Sequence, residues 1–324
     1  MKRKIIVENT KYSLLLYFLL KKNWEKDIFI LNDTFDDEFL TLFKRKVKNI
    51  FIFKQNSIKK NIFKYYLEIL KIYIFLINIY FQGEVEIYGN DNLVYSRFKS
   101  KGYILLEDGN INYQIHKTSK KMSDYFKEMI KLKNPFYKPY GYSKKIKKIY
   151  LTGLAAIPKE IENKVEIINL KKLWELKTKK EQQEILEVFG FNREILEKVK
   201  EKNIILFTQP LSEDGIFSEQ EKINLYSKII SKYPSEKLVL KSHPREKTSY
   251  TKKFKEILVL EQSFPAEIFE LLGINFDRAI TLFSTAVFGV KSKHIDFYGT
   301  EVDYKILEKF GNHDFIMERN VFLD

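Results

Sequence analysis

Just past a short apolar run, Lys237-Leu-Val-Leu240, the chain places Lys241-Ser-His-Pro-Arg245. A histidine held by a proline and bracketed by cations suits a phosphate. Imidazole can donate a proton or a hydrogen bond to a leaving phosphate oxygen, while Lys241 and Arg245 match its charge. An ordinary turn would use some of the same residues. Phe283-Ser-Thr-Ala286 follows the run 278–282. There Ser284, Thr285 and unpaired backbone N–H groups at a helix start form a phosphate site, and Ser284 alone also reads as an N-cap. Thr208-Gln-Pro-Leu-Ser-Glu-Asp-Gly215 follows the run 203–207 and supplies two carboxylates, Glu213 and Asp214. Either could take a proton from an attacking hydroxyl, or both could belong to a solvated loop. Glu107-Asp-Gly-Asn110 follows the run 102–106; Gly109 permits a sharp turn that exposes Glu107 and Asp108, as it does in many routine turns.

All four segments sit after apolar β-rich runs, so the elements that position them matter. Strand-like runs at 4–7, 27–31, 48–53, 84–88 and 102–106 alternate with helical segments at 12–22 and 58–78. A polar, lysine-rich stretch over 117–148 interrupts the rhythm, which resumes at 149–151 and 165–169. Residues 170–200 read as a charged helical bridge. The alternation then restarts, with strands at 203–207, 237–240, 258–260, 278–282 and 294–297 and a helix over 218–232. Strands separated by helices favour parallel sheets. The expected fold is α/β: two Rossmann-like domains, 1–155 and 156–324, with parallel sheets facing across a cleft in the GT-B arrangement. In such sheets ligands bind beyond the carboxyl ends of the strands.

The bulk numbers agree with this picture. A chain of 324 residues is long for one core, and with 44% hydrophobic and 15% aromatic residues it buries sizeable ones. It has no cysteine, which removes disulfides, thiolate metal sites and cysteine nucleophiles together. The abundance of Lys, Ile, Asn, Tyr and Phe also fits a genome poor in G and C. A net charge of +14 points to partners that accept a positive surface: nucleic acid, an anionic membrane, or phosphorylated or acidic sugars. Lysine runs at 117–121 and 144–148 read equally well as solvated faces. The apolar stretch 12–20 is too short to span a bilayer. The stretch 62–81 is longer, but Lys64, Glu68, Lys71 and Asn78 recur through it, so it reads as a mostly buried helix, with a membrane-surface helix as the second reading. A cytoplasmic protein, peripheral on the inner face of a membrane if attached, is the expectation.

Phosphate-loop, dinucleotide, zincin and hydrolase-elbow motifs are missing from the sequence. The four histidines, His116, His243, His294 and His313, lack metal-ligand spacing, and there is no D-x-D pair. The expected chemistry uses neither metal nor cofactor.

Together, Glu107-Asp-Gly-Asn110, Phe207-Thr-Gln-Pro-Leu-Ser-Glu-Asp214, Ser242-His-Pro-Arg245 and Phe283-Ser-Thr-Ala286 resemble, in order and spacing, the bacterial lipooligosaccharide sialyltransferases of glycosyltransferase family 52. The resemblance runs from the first strand–helix unit to about residue 288. It implies a GT-B fold, a CMP-sialic acid donor, a galactose-terminated glycan or glycolipid acceptor, inversion at the anomeric carbon and no required metal. It puts His243 at the departing CMP phosphate and makes Phe283, Ser284 and Thr285 the donor-phosphate segment. The family's carboxylate base maps onto Asp214, with Glu213 beside it. A related sialyltransferase family takes its base from an acid-Asp-Gly turn, which would be Asp108 and ranks second. Glu267, in Phe264-Pro-Ala-Glu267, maps onto a carboxylate that holds cytidine. The resemblance also suggests a homodimer. Members can carry an N-terminal membrane anchor, whereas this chain opens on its first strand, so a basic surface resting on an anionic leaflet is the expected substitute. Another nucleotide sugar, such as a glucosyl donor or a CMP-linked eight-carbon acid, is the rival donor. An inactive relative kept as a scaffold is a third reading. A nucleic-acid partner is not expected, since no helix-turn-helix or aromatic RNA-binding signature accompanies the charge.

Overall fold

The computed structural model describes residues 2–54, 61–81, 83–93, 102–114, 138–261 and 264–312. The chain divides into two compact units, Met1–Lys177 and Thr178–Asp324. The division lies inside the 170–200 helical stretch, because residues beyond 155 still build the first sheet.

That sheet contains β1 (Arg3–Glu8), β2 (Ile28–Asn32), β3 (Ile50–Phe53), β4 (Val85–Gly89), β5 (Tyr103–Leu106), β6 (Ile146–Leu151) and β7 (Val165–Ile167), in the order β3-β2-β1-β4-β5-β6-β7. Every pairing is parallel, with Val7 opposite both Ile30 and Gly89. Parallel strands are covered on both faces, which is why they read as unbroken apolar runs rather than alternating ones. Ile5, Ile6 and Val7 are accordingly all buried. Helix α1 (Lys11–Leu20) is apolar nearly all round and lies buried. It starts at Thr10, whose hydroxyl accepts the Ser13 N–H at 3.3 Å. Helices α2 (Asp37–Lys46), α3 (Ile62–Tyr80), α4 (Lys159–Glu162) and α5 (Leu170–Glu175) complete the described part of this unit. Chain order reverses between β1 and β4, so the segments after these strands flank the place where such sheets receive ligands.

Helix α3 departs from the expected mostly buried helix. Ile69, Ile72, Leu76 and Ile79 pack into the core, but Phe63, Leu67, Leu70, Ile74, Ile77 and Phe81 form an exposed apolar crest at alternating spacings of four and three. A helix packed on one side of a sheet buries one face, and here the sequence made both faces apolar. Among the described residues no helix is long and apolar enough to cross a membrane.

The second unit holds β8 (Ile204–Phe207), β9 (Leu238–Lys241), β10 (Leu258–Leu260), β11 (Asn275–Thr281) and β12 (Lys291–Phe297), ordered β10-β9-β8-β11-β12 and again parallel throughout. Around it run α6 (Lys179–Val188), α7 (Arg193–Lys200), α8 (Glu219–Ile230), α9 (Glu267–Leu271) and α10 (Tyr304–Phe310). Helices α6 and α8 open with reciprocal capping boxes, Thr178 with Glu181 and Ser218 with Glu221. Leu206, Leu240, Ile280 and Leu282 meet Tyr226 and Ile229 of α8 in its core. The two parallel α/β sheets are those of the expected GT-B class.

Gly89 ends β4 at the switch point with φ +121, and a Cβ there would lie 2.1 Å from the Val7 carbonyl oxygen. Both the backbone conformation and the contact exclude a side chain. Gly89→Ala should therefore lower unfolding stability by roughly 2–4 kcal/mol, read from the shift in urea midpoint at constant m-value.

Candidate active site

In the first unit the segments after β1, β4 and β5 converge on Asp108. Asn90, just past β4, donates from Nδ2 to Asp108 Oδ2 at 2.6 Å and to Asn9 Oδ1 at 3.2 Å. Asn90 is itself fixed: its N–H donates to the Val7 carbonyl at 2.9 Å, and its carbonyl accepts the Tyr103 hydroxyl at 2.8 Å. The Asp108 N–H donates to Asn112 Oδ1 at 2.6 Å, and Gly109 takes the left-handed φ of +68 that turns the chain away. Burial pushes the Asp108 carboxyl up to about 6; the donors Asn90 and Thr10 oppose this and the charges of Glu107 and Asp91 add to it.

The other half of the acidic pair has a different job. Glu107 is fully buried and accepts the Tyr12 and Tyr113 hydroxyls, each at 2.7 Å, and the N–H and hydroxyl of Thr152. It fastens α1 and the segment after β6 to the end of β5. Glu8, at the end of β1, is buried too, and its Oε1 finds no hydrogen-bond partner among the described residues. Burial, with the nearby Asp108 charge second, raises the Glu8 carboxyl well above its usual range.

In the second unit the turn after β9 carries His243. The Glu246 N–H closes the turn onto the His243 carbonyl at 2.9 Å, with Pro244 in the position that favours its fixed φ. The Arg245 N–H donates to His243 Nδ1 at 3.1 Å. In the neutral ring that leaves the proton on Nε2, a donor suited to a phosphate oxygen. Burial first, then the charges of Arg245 and Lys241, push the His243 pKa down to about 4. Lys241 is buried, with its ammonium 4.2 Å from the centre of the Phe264 ring.

Glu213 and Asp214 are both engaged. Asp214 accepts both Nη groups of Arg245, at 2.7 and 3.1 Å. Glu213 accepts Lys222 Nζ at 3.0 Å and the Lys247 N–H at 2.6 Å. Burial raises the Glu213 carboxyl, but these donors outweigh it and hold it below the usual range. Past β11, the segment expected to open a helix forms a short 3-10 turn, Thr285–Gly289, capped by Ser284, whose Oγ accepts the Ala286 N–H at 3.3 Å. Glu267 packs against that turn: a Cβ on Gly289 would lie 2.5 Å from its Oε1. Phe283 packs on Phe310, ring centres 5.0 Å apart, and serves the core. β11 and β9 flank β8, so the Ser284 turn and His243 share one sheet edge, two strand spacings or about 10 Å apart. Among the described residues no group of His, Asp and Glu is arranged to hold a metal.

A sequence model of glycosyltransferase family 52 matches residues 24–306. The chain belongs to that family. This glycosyltransferase is 43% identical over 236 residues to an uncharacterized protein of Haemophilus influenzae, covering 72% of this chain and 74% of that protein. Its fold is similar to that of the α/β-galactoside α-2,3-sialyltransferase of Photobacterium phosphoreum, at TM-score 0.57 and 14% identity over 100% of this chain and 96% of the other. It is also similar to the GT-B domain of a Photobacterium damselae sialyltransferase, at TM-score 0.59 and 13% identity over 92% and 90%. A 2,6-sialyltransferase of Photobacterium sp. JT-ISH-224, solved with CMP and lactose, matches at TM-score 0.55 and 13% identity over 91% and 71%.

Sequence reasoning about this glycosyltransferase missed Glu8, Asn90, Lys222 and Glu246. Asn90 and Glu8 do stand at strand ends, the one signal that was available. The low His243 pKa carries a stability consequence. Its folded value is depressed from an ordinary 6.5 to about 4. Between those values the unfolded chain binds a proton that the folded site refuses. Stability from this group is therefore fully present above pH 6.5 and is lost as pH falls toward 4. A comparison of denaturant midpoints across pH 7 to 4 should show His243→Gln flatter than wild type, by on the order of 2–3 kcal/mol at the acid end.

Proposed function

We propose that this family 52 glycosyltransferase transfers sialic acid from CMP-sialic acid to a galactose-terminated (lipo)oligosaccharide, with inversion and without a metal. What supports this reading is that each unit by itself presents suitable chemistry at its own sheet edge. The first unit presents a carboxyl moved to about 6, and the second an imidazole whose Nε2 holds the proton between two cations. Asp108 is the base we assign. Asp214, the first expectation from sequence, has both carboxylate oxygens engaged by Arg245 in a two-pronged ion pair. As the acceptor hydroxyl attacks the anomeric carbon, its proton passes to Asp108. The bond from that carbon to the phosphate oxygen breaks with its electrons, and the leaving CMP phosphate, which keeps that electron pair, accepts a hydrogen bond from His243 Nε2. Lys241, Arg245, Ser284 and Thr285 offset its charge. Glu267, at the Ser284 turn, is the group we assign to the cytidine.

The decisive assay incubates the protein with CMP-sialic acid in EDTA, with and without a galactose-terminated acceptor, and measures free CMP. Acceptor-dependent release is expected, together with loss of about a thousandfold or more in Asp108→Asn and His243→Ala. Full activity in Asp108→Asn alongside a dead Asp214→Asn would move the base to Asp214. No release, with thermal stabilisation by a different nucleotide sugar, would discard the sialyl donor.

Asp108 also fixes the pH profile. The acid limb of kcat/KM should fall with a midpoint near pH 6, where this carboxyl loses its charge. Its folded pKa is raised, so its ionisation destabilises the fold as pH rises through about 6. Asp108→Asn should therefore be inactive yet at least as stable as wild type at pH 8, measured by thermal unfolding. The charge of +14 suits a peripheral hold on an anionic leaflet at the cytoplasmic face, which co-sedimentation with anionic against zwitterionic vesicles tests.

A further inference from the structure

Next to the His243 turn lies a cluster of buried charge that the proposed chemistry does not use. Lys222, on α8, has a side chain with no exposure, and neither has Glu246. Lys222 Nζ lies 3.0 Å from Glu213, 3.5 Å from Glu219 and 3.6 Å from Glu246. A buried ion pair is poor evidence of a stabilising role, because desolvation of both charges offsets their attraction, and apolar replacements often do as well. Its worth must be sought in what it holds in place.

What it holds is the turn. Glu246 Oε2 accepts the His243 N–H at 2.8 Å and also the Thr208 hydroxyl. Its Oε1 accepts the Tyr250 hydroxyl at 2.7 Å. At the far end of the same turn, Glu213 accepts the Lys247 N–H at 2.6 Å. The turn is thus gripped on both sides of Pro244 and Arg245, and both grips rest on one buried ammonium. With its backbone fixed at 243 and 247, the Arg245 N–H is held toward His243 Nδ1, and that single bond decides which ring nitrogen carries the proton.

We propose that Glu246, seated on Lys222, is a positioning residue that fixes the orientation and tautomer of His243. The proposal rests on the reading of His243 as the group at the leaving phosphate. Glu246 touches no reacting atom; it acts through the turn.

The test uses the full chain labelled with 15N-histidine. The chain has four histidines, and the His243 ring signals are those lost in His243→Gln. In wild type these signals should report one tautomer, with the proton on Nε2. In Glu246→Gln they should report a mixture, kcat should fall about tenfold or more, and KM for CMP-sialic acid should stay within about threefold. A wild-type tautomer in a folded Glu246→Gln overturns the proposal, whether or not kcat falls. A mixed tautomer with unchanged kcat supports the latch and overturns the catalytic reading of His243, so the two failures are distinguishable. If Glu246→Gln does not fold, the double variant Lys222→Met with Glu246→Met removes both charges at similar volume. It should fold, judged by circular dichroism, and show the same loss of tautomer; a single Nε2–H tautomer there overturns the proposal.

Discussion

A parallel strand covered on both faces leaves no place along its length for a polar side chain. Its apolar residues meet helices above and below, and its backbone groups are satisfied by neighbours on either side. Polar chemistry is therefore pushed to the last strand residue and beyond, where the chain turns. Because every strand runs the same way, all those turns gather on one edge. The rest of both units follows from this constraint. Asn9, Asn90 and Asp108 in the first, and Thr208, His243 and Ser284 in the second, belong to segments far apart in sequence that share an edge.

At such an edge turns must be held without the ladder bonds that hold strands. Both units solve this with a buried carboxylate placed close in sequence to the residue that matters. Glu107 accepts two tyrosine hydroxyls and both groups of Thr152, while burial raises the neighbouring Asp108 carboxyl to about 6 against the donors Asn90 and Thr10. Glu246 ties the His243 turn to Thr208 and Tyr250. In each case the structural acid has its oxygens occupied by donors that hold the turn, and the neighbouring residue keeps a titratable group facing the sheet edge.

Much of this was legible in the residues. Apolar runs gave the strands, their alternation with helices gave two parallel sheets, and strand ends gave His243, Asp108 and Ser284. Other features lay beyond that kind of reading. Helices α2 and α10 are short and charge-rich, so their apolar periodicity is too brief to mark them. Asn90 looks like any turn asparagine until β4 is known to lie beside β1. Lys222 reads as a helix-surface lysine, and only tertiary packing buries it against acids 9 and 24 positions away. The commitment of Asp214 to Arg245 spans 31 positions, so sequence alone could weigh that acid but not see it paired. Long-range ion pairs are where a linear reading fails, because nothing local records them.

The depressed pKa of His243 completes the electrostatic logic. Burial first, then the charges of Arg245 and Lys241, hold the ring neutral above about pH 4. On the proposed reading a donor phosphate would bring negative charge to those same cations and meet the Nε2–H as a hydrogen-bond donor. That contact would need the ring held with Nε2 facing the phosphate, which makes the backbone grip on the turn as consequential as the charges around it. A loosely held histidine with the same neighbours would keep its charged surroundings but lose that alignment.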